Sequence, residues 1–144
     1  HKYQRPVSLH CLRAWGALEE VLRAHSEGVS LPPIILHSFG GSSELVSVFR
    51  KLGCYFSFSG YFLHSRKQSV QAAFLDVPLE RLLIETDSPD MRPPEAYIAN
   101  LDFPHNHPEN LPRILEGLAE VLDQPIKLIE QATDSNFHHL FTAR

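Results

Sequence analysis

The chain has 144 residues, of which 43% are hydrophobic and 21% are charged, a balance usual for a globular protein of one domain. Its formal net charge of −4 argues against a protein that binds nucleic acid through bulk charge alone, but is compatible with a nuclease that uses metal ions and a local basic patch. No apolar run reaches the ~20 residues of a membrane helix and no signal peptide is visible, so we expect an intracellular protein, cytoplasmic or nuclear, that is not secreted and binds no membrane.

Short apolar segments alternate with amphipathic segments along the whole chain. The pattern predicts strands at residues 6–11, 34–38, 55–59 and 82–86. It predicts helices at residues 13–25, 42–52, 66–75, 108–122 and 125–132, with a further short helical stretch at 136–140. Strands that alternate with helices indicate an α/β fold with a parallel sheet covered by helices. Two architectures remain open at this point: a doubly wound open sheet, or part of a (β/α)₈ barrel.

Three of the predicted strands end in a side chain that can bind a metal ion. These side chains are His10, His37 and Asp87. Because the C-terminal ends of parallel strands meet at one edge of a sheet, we expect the three to face the same cleft. Two imidazoles and a carboxylate can hold a divalent ion. Each residue also has an ordinary explanation, since Asp87 can organise a turn and a single histidine is more often structural.

Short motifs accompany these strand ends in a fixed order. The motifs are PVSLHC at 6–11, HSFGGS at 37–42, ETDSP at 85–89, NHPENL at 106–111, and Asn136 followed by Leu140-Phe141. In this order they resemble the later signatures of the TatD family of metal-dependent deoxyribonucleases, and the resemblance covers essentially the whole chain. It implies the C-terminal half of a (β/α)₈ TIM-type barrel. Residues 1–144 would form a single partial domain that contains the last four β/α units, with the N-terminal half absent, since a full barrel needs ~250 residues.

The resemblance also implies a chemistry and roles for individual residues. It implies a hydrolase that cleaves DNA phosphodiester bonds with two divalent ions per complete site. The ions would be Mg²⁺ by family, with Mn²⁺ or Zn²⁺ possible. The substrate would be single-stranded DNA or DNA 3′ ends, with 3′-to-5′ exonuclease action in the full-length form. His10 and His37 would bind one ion. Asp87 would bind the other and would be the catalytic residue that orients or deprotonates the attacking water.

Five further residues are candidates for substrate binding. Phe39, Gly41 and Ser42 lie in the turn after the second strand, where backbone N–H groups can face a phosphate and an aromatic ring can stack on a base. The alternatives are an ordinary turn at the start of a helix and packing of the Phe39 ring in the core, which is the more common position of such a ring. His64 follows the third strand, and Glu85 shares a strand face with Asp87. For Glu85 we expect a supporting contact to the metal ligands or to substrate, and not the metal-bridging role of a glutamate in the family.

The chain departs from the family pattern in its ligand set. The His-x-His pair of the first family strand and the bridging glutamate are missing, and His105-x-His107 lies between prolines where we expect a solvated loop. Two alternatives to an active nuclease therefore remain: a non-catalytic isoform or binding module, and a related metal hydrolase with a substrate other than DNA. An open half-barrel would also expose sheet edges through which the chain can self-associate.

Overall fold

Four parallel strands form the centre of the molecule. A computed structural model of the chain describes residues 5–26, 28 and 30–142. The strands are β1 (Val7–Leu9), β2 (Ile34–Leu36), β3 (Tyr55–Ser59) and β4 (Leu82–Glu85). They form one sheet in the order β1-β2-β3-β4, with every neighbouring pair parallel. The predicted α/β class and parallel sheet are thus confirmed, and all four strands end at the same edge.

Five α-helices connect and follow these strands. They are α1 (Trp15–Ser26), α2 (Ser43–Lys51), α3 (Gln68–Phe74), α4 (Leu111–Leu122) and α5 (Ile126–Phe141). Short 3₁₀ turns precede α3 and α4, at Ser65–Lys67 and Pro108–Asn110, where the sequence predicted the first turns of those helices. None of the helices in the described ranges is long and apolar enough to cross a membrane.

The side chains of β2, β3 and β4 divide between two apolar clusters. Leu36, Phe56 and Leu82 are fully buried and join the larger cluster, to which all five helices contribute. Ile35, Tyr55, Leu83 and Leu140 of α5 form a smaller second cluster. Successive residues of a strand point to opposite faces, which explains the division. Glu85 lies two residues after Leu83, so its side chain continues the face of the smaller cluster toward the C-terminal edge.

The last helix differs from its sequence prediction. Instead of separate pieces at 125–132 and 136–140, α5 runs unbroken from Ile126 to Phe141. Its buried residues are Ile129, Thr133, Asn136 and Leu140, at spacings of four, three and four. Asn136 Nδ2 donates hydrogen bonds to the backbone oxygens of Leu79 (2.7 Å) and Leu82 (2.8 Å). Packing of one continuous face therefore keeps the helix intact across the Asp-Ser-Asn sequence, whose residues have low helix propensity.

Candidate metal centre

The ends of β2 and β4 bring three metal-binding side chains together. His37 Nε2 lies 3.1 Å from Glu85 Oε2 and 3.6 Å from Asp87 Oδ1. One ligand atom from each of the three residues lies within 4.8 Å of the other two. The side chains are 17–29% exposed, so the group is sheltered and still open to solvent. The structure thus places two predicted ligands, His37 and Asp87, with a third group that the sequence analysis assigned a supporting contact.

Ser38 fixes the position of the Glu85 carboxylate. Its backbone N–H donates to Glu85 Oε1 at 2.8 Å, and its hydroxyl donates to the same oxygen at 2.5 Å. The hydroxyl oxygen also lies 3.3 Å from Asp87 Oδ2. These bonds occupy one oxygen of Glu85 and leave Oε2 beside the imidazole of His37. Ser38 belongs to the HSFGGS motif, but its sequence position alone did not indicate this role in the site.

The backbone is unusual at two positions of the group. Ser38 has φ of 45° and Asp87 has φ of 62°, in the left-handed region that residues with a Cβ rarely adopt. Such conformations cost about 1–3 kcal/mol each and persist where the surrounding structure holds them. Here they turn Ser38 and Asp87 toward each other at the ends of their strands.

The two histidines of the predicted site are neighbours. The rings of His10 and His37 have centroids 4.2 Å apart and are inclined by 35°. His10 is exposed, and His37 is half-buried. Among the described residues His37 Nδ1 has no hydrogen-bond partner although it is buried. His10 therefore adjoins the group of three without being part of it, and the ligand role of either histidine stays a prediction.

The loop that carries Asp87 is held by one buried amide. Asn106 Nδ2 donates to the backbone oxygens of Thr86 (2.5 Å) and Asp90 (2.7 Å), on either side of Asp87. Asn106 Oδ1 accepts from Asn110 Nδ2 at 2.9 Å and from the backbone N–H of His107, also at 2.9 Å. Through the hydrogen bonds of Asn106, the NHPENL motif connects the start of α4 to the loop that carries Asp87.

Two of the candidate substrate-binding residues, Phe39 and Gly41, are buried in the packing between the sheet and the helices. The side chain of Phe39 is fully buried and packs edge-on against Trp15 and Phe56, so it cannot stack on a base. Its backbone N–H already donates to Ser57 O at 3.1 Å and is not free for a phosphate. Gly41 is buried as well. A Cβ at this position would lie 2.5 Å from the Phe39 ring, so the close packing requires a residue without a side chain. Hydrophobic packing places the Phe39 ring in the core, which is the alternative to base stacking that the sequence also offered.

The other substrate-binding candidates lie where a ligand can reach them. Ser42 is exposed at the start of α2, and its hydrogen bond holds the pKa of the Glu44 carboxyl below its usual value. His64 is half-buried, and its Nε2 lies 3.1 Å from the backbone oxygen of Arg92. That contact joins the loop after β3 to the loop after β4. A substrate role for Ser42, His64 and Glu85 stays a prediction.

The His105-x-His107 pair lies in a loop, as the sequence indicated. His107 Nδ1 accepts a hydrogen bond from the backbone N–H of Glu109 at 3.3 Å and caps the turn before α4. Its ring stacks on Phe103, with centroids 4.5 Å apart. His105 is exposed. Within the described ranges this pair joins no group of metal-binding side chains.

Comparisons with known proteins agree with the motifs. The chain is 31% identical over 138 residues to the 3′-5′ ssDNA/RNA exonuclease TatD of Edwardsiella piscicida, which covers 95% of the chain and 52% of that protein. It is 32% identical over 141 residues to the uncharacterized metal-dependent hydrolase YcfH of Escherichia coli K12. This alignment covers 95% of the chain and 49% of YcfH. The chain thus spans about half the length of these curated relatives.

Solved structures show the same relationship. The crystal structure of YjjV, a TatD homologue of Escherichia coli K12, matches with a TM-score of 0.83 and 30% identity over 99% of this chain and 52% of that one. A TatD family hydrolase of Entamoeba histolytica has the same fold, with a TM-score of 0.81 at 20% identity, over 99% and 53% of the two chains. The four-stranded sheet is therefore part of a TIM-type barrel. Because the model of the TatD related DNase family matches residues 1–142, the chain belongs to that family.

Proposed function

We propose that this chain carries the C-terminal part of a metal-dependent nuclease site that hydrolyses phosphodiester bonds of single-stranded DNA or RNA. In the full-length form the cleavage would proceed from the 3′ end, as the name of the Edwardsiella relative states for that protein. The observation that carries the proposal is the meeting of His37, Glu85 and Asp87 at the C-terminal edge of the sheet.

The three side chains fit a divalent cation. Imidazole nitrogen and carboxylate oxygen are ligands of Zn²⁺ and Mn²⁺, and Mg²⁺ accepts carboxylate oxygens. Glu85 and Asp87 both face His37, and in the described part of the chain neither forms an ion pair with lysine or arginine. Two sheltered carboxylates without a permanent cation repel each other, and a bound divalent ion removes that repulsion. In our proposal a complete site binds two ions, and His10 contributes to it beside His37.

A bound divalent ion would polarise the phosphodiester and make the attacking water more acidic. The protein groups supply orientation and a proton acceptor. Ser38 holds Glu85 in place through its N–H and hydroxyl donors. The Asp87 carboxylate accepts a proton from the attacking water as the oxygen of that water forms a bond to phosphorus. The bond from phosphorus to the leaving oxygen breaks, and that oxygen takes a proton from solvent.

The test compares metal binding and cleavage in matched variants. The purified chain, Asp87→Asn and the control Asp102→Asn are titrated with Mn²⁺ by calorimetry. Asp102 is exposed, lies further along the same connection between β4 and α4, and in the described part of the chain belongs to no group of metal-binding side chains. Each protein is then incubated with 3′-labelled single-stranded DNA or RNA in Mg²⁺ or Mn²⁺. For Asp87→Asn we expect Mn²⁺ affinity to fall by about tenfold or more and cleavage by about 10²-fold or more. The control should keep both properties.

The outcomes distinguish an active nuclease from the two alternatives, a non-catalytic module and a metal hydrolase with another substrate. Unchanged metal affinity and cleavage in Asp87→Asn contradict the proposed site. Metal binding that depends on Asp87, without cleavage of either nucleic acid, favours a non-catalytic module or a hydrolase with another substrate. Preference for DNA over RNA, or the reverse, is measured in the same experiment.

We also propose that the chain self-associates through the edges of its sheet. In the described part of the chain β1 and β4 each have one neighbour only. Beside β4 lies a largely apolar groove of about 670 Å³ between β4, α4 and α5, which includes Leu83, Leu115 and the half-exposed Phe137. Unpaired edges and exposed apolar surface favour association. Sedimentation should show a species of two chains, and a monomer at all concentrations contradicts the proposal.

A further inference from the structure

A pair of basic side chains shares one aromatic ring in the loop after β3. The Arg66 guanidinium carbon lies 5.2 Å from the centre of the Tyr61 ring, and Lys67 Nζ lies 4.9 Å from it. Arg66 also donates from NH2 to the Tyr61 hydroxyl at 2.6 Å. Cation–π contacts of this kind hold both positive charges close to the same ring. We call Tyr61, Arg66 and Lys67 the basic platform.

The basic platform lies at the same edge of the sheet as the metal-binding group. β3 is between β2 and β4, so the loop that follows it emerges between the strand ends that carry His37 and Asp87. The contact of His64 Nε2 with the backbone oxygen of Arg92, at 3.1 Å, joins this loop to the loop of Asp87. Ligands of parallel α/β folds bind at this edge, so the loop that carries the platform borders the cleft in which a nucleic acid would meet the metal-binding group.

In the described part of the chain the positive charges of the platform have no acidic partner. Within the described ranges neither Arg66 nor Lys67 forms an ion pair, whereas Arg23 and Arg113 each pair with a glutamate on their own helix. Two cations held near one ring repel each other, and an anion between them removes that repulsion. Arg66 is exposed and Lys67 is half-buried, so both can meet a ligand from solvent. A phosphate group has the charge and the acceptor oxygens for this position.

We infer that the basic platform binds the backbone phosphates of a single-stranded nucleic acid next to the scissile bond. This inference rests on the proposed nuclease function and names how that site holds its substrate. It answers an electrostatic problem, since the chain has a net charge of −4 and two of its carboxylates, those of Glu85 and Asp87, lie at the point of attack. A local pair of cations attracts the strand where the overall charge does not. Contacts to phosphate are independent of base sequence.

The chain offers a matched control for charge. Arg50 and Lys51 are a second adjacent basic pair, exposed at the last turn of α2, which is at the opposite edge of the sheet from the metal-binding group. R66A/K67A and R50A/K51A therefore remove the same charge from opposite ends of the strands. Circular dichroism checks that both variants are folded.

The experiment measures binding of a fluorescent single-stranded oligonucleotide in EDTA by anisotropy, from about 50 to about 200 mM salt. For single strands the slope of log K against log salt concentration changes by about 0.7 for each phosphate contact. R66A/K67A should therefore reduce the slope by about 1.4 and weaken binding at low salt, and R50A/K51A should keep the original slope. Tyr61→Leu keeps both charges but loses the ring, so it should weaken binding while the slope stays the same.

An unchanged salt slope in R66A/K67A overturns the inference. So does a loss of oligonucleotide affinity in R50A/K51A that equals the loss in R66A/K67A. Absence of oligonucleotide binding by the unmodified chain overturns it as well. Mn²⁺ affinity, measured in parallel, separates this inference from the proposed function. R66A/K67A should bind Mn²⁺ normally. If Asp87→Asn leaves Mn²⁺ affinity unchanged while the platform still determines the salt slope, the metal site is refuted and the binding surface stands.

Discussion

Replacement of Asn106 by alanine should destabilise the fold and the metal-binding group together. Asn106 is 3% exposed, and its amide makes four hydrogen bonds of 2.5–2.9 Å to the loop of Asp87 and to the start of α4. A hydrogen bond contributes about 1 kcal/mol net, so four amount to about 4 kcal/mol. The loop is partly open to water, which can replace some of the bonds, and the expected loss is therefore about 2–4 kcal/mol.

The same substitution should weaken metal binding. The bonds from Asn106 hold the backbone oxygens of Thr86 and Asp90, between which Asp87 takes its left-handed conformation. Without them the strained backbone of Asp87 can relax, and its carboxylate moves away from His37. Groups that orient a metal ligand typically contribute 10–100-fold to affinity, so we expect Mn²⁺ affinity to fall by at least about tenfold.

Urea unfolding and Mn²⁺ calorimetry measure the two effects. Asn100→Ala is the matched control, because the Asn100 side chain accepts one hydrogen bond, from the backbone N–H of Asp102 at 2.9 Å, in an exposed turn. Its free energy of unfolding should change by less than about 1 kcal/mol. Asn106→Asp keeps the shape but places an oxygen where the amide donated, and it should destabilise at least as much as alanine. Equal stability of Asn106→Ala and Asn100→Ala, with unchanged metal affinity, would refute the reasoning.

Two further predictions concern groups with a shifted pKa. Burial raises the pKa of the Cys54 thiol to about 12, so iodoacetamide at neutral pH should label the partly exposed Cys11 and leave Cys54 unmodified until the protein unfolds; mass spectrometry of digested protein distinguishes the two. Burial, and next its hydrogen bond to Glu120, raises the pKa of Tyr97 to about 12. The native state therefore keeps this proton where the unfolded chain loses it, and stability should fall as pH rises from about 10 to about 12. An ultraviolet titration in which Tyr97→Phe retains the most basic tyrosine transition would contradict the assignment.

The strands and the strand-end ligands could be predicted because their signal is local. Strands of a parallel sheet are short apolar runs, and each of the four appears in the sequence as such a run. The expected burial holds for β2 and β3, whereas Val7 and Ser8 of β1 are exposed. His37 and Asp87 were identified because they directly follow runs of this kind, and parallel strands end at a common edge.

The local sequence was insufficient to predict two features that depend on tertiary packing, the continuity of α5 and the burial of Phe39. The sequence pattern predicted two separate helical stretches at 125–132 and 136–140, but a continuous buried face and the hydrogen bonds of Asn136 to the backbone oxygens of Leu79 and Leu82 make α5 one helix. An aromatic ring after a strand can face solvent or core, and the buried position of Phe39 depends on Trp15 and Phe56, which are distant in sequence.

The sequence by itself determined the parallel α/β architecture, the family, and two of the three side chains in the metal-binding group. Only the tertiary structure decided the place of Glu85. Its distance of 3.1 Å from His37 depends on the arrangement of β2, β3 and β4 and on the left-handed turn at Ser38. Hydrophobic periodicity reports which way a side chain points on its own strand. The distance between two strand ends is a property of the assembled sheet, to which residues far apart in the chain contribute.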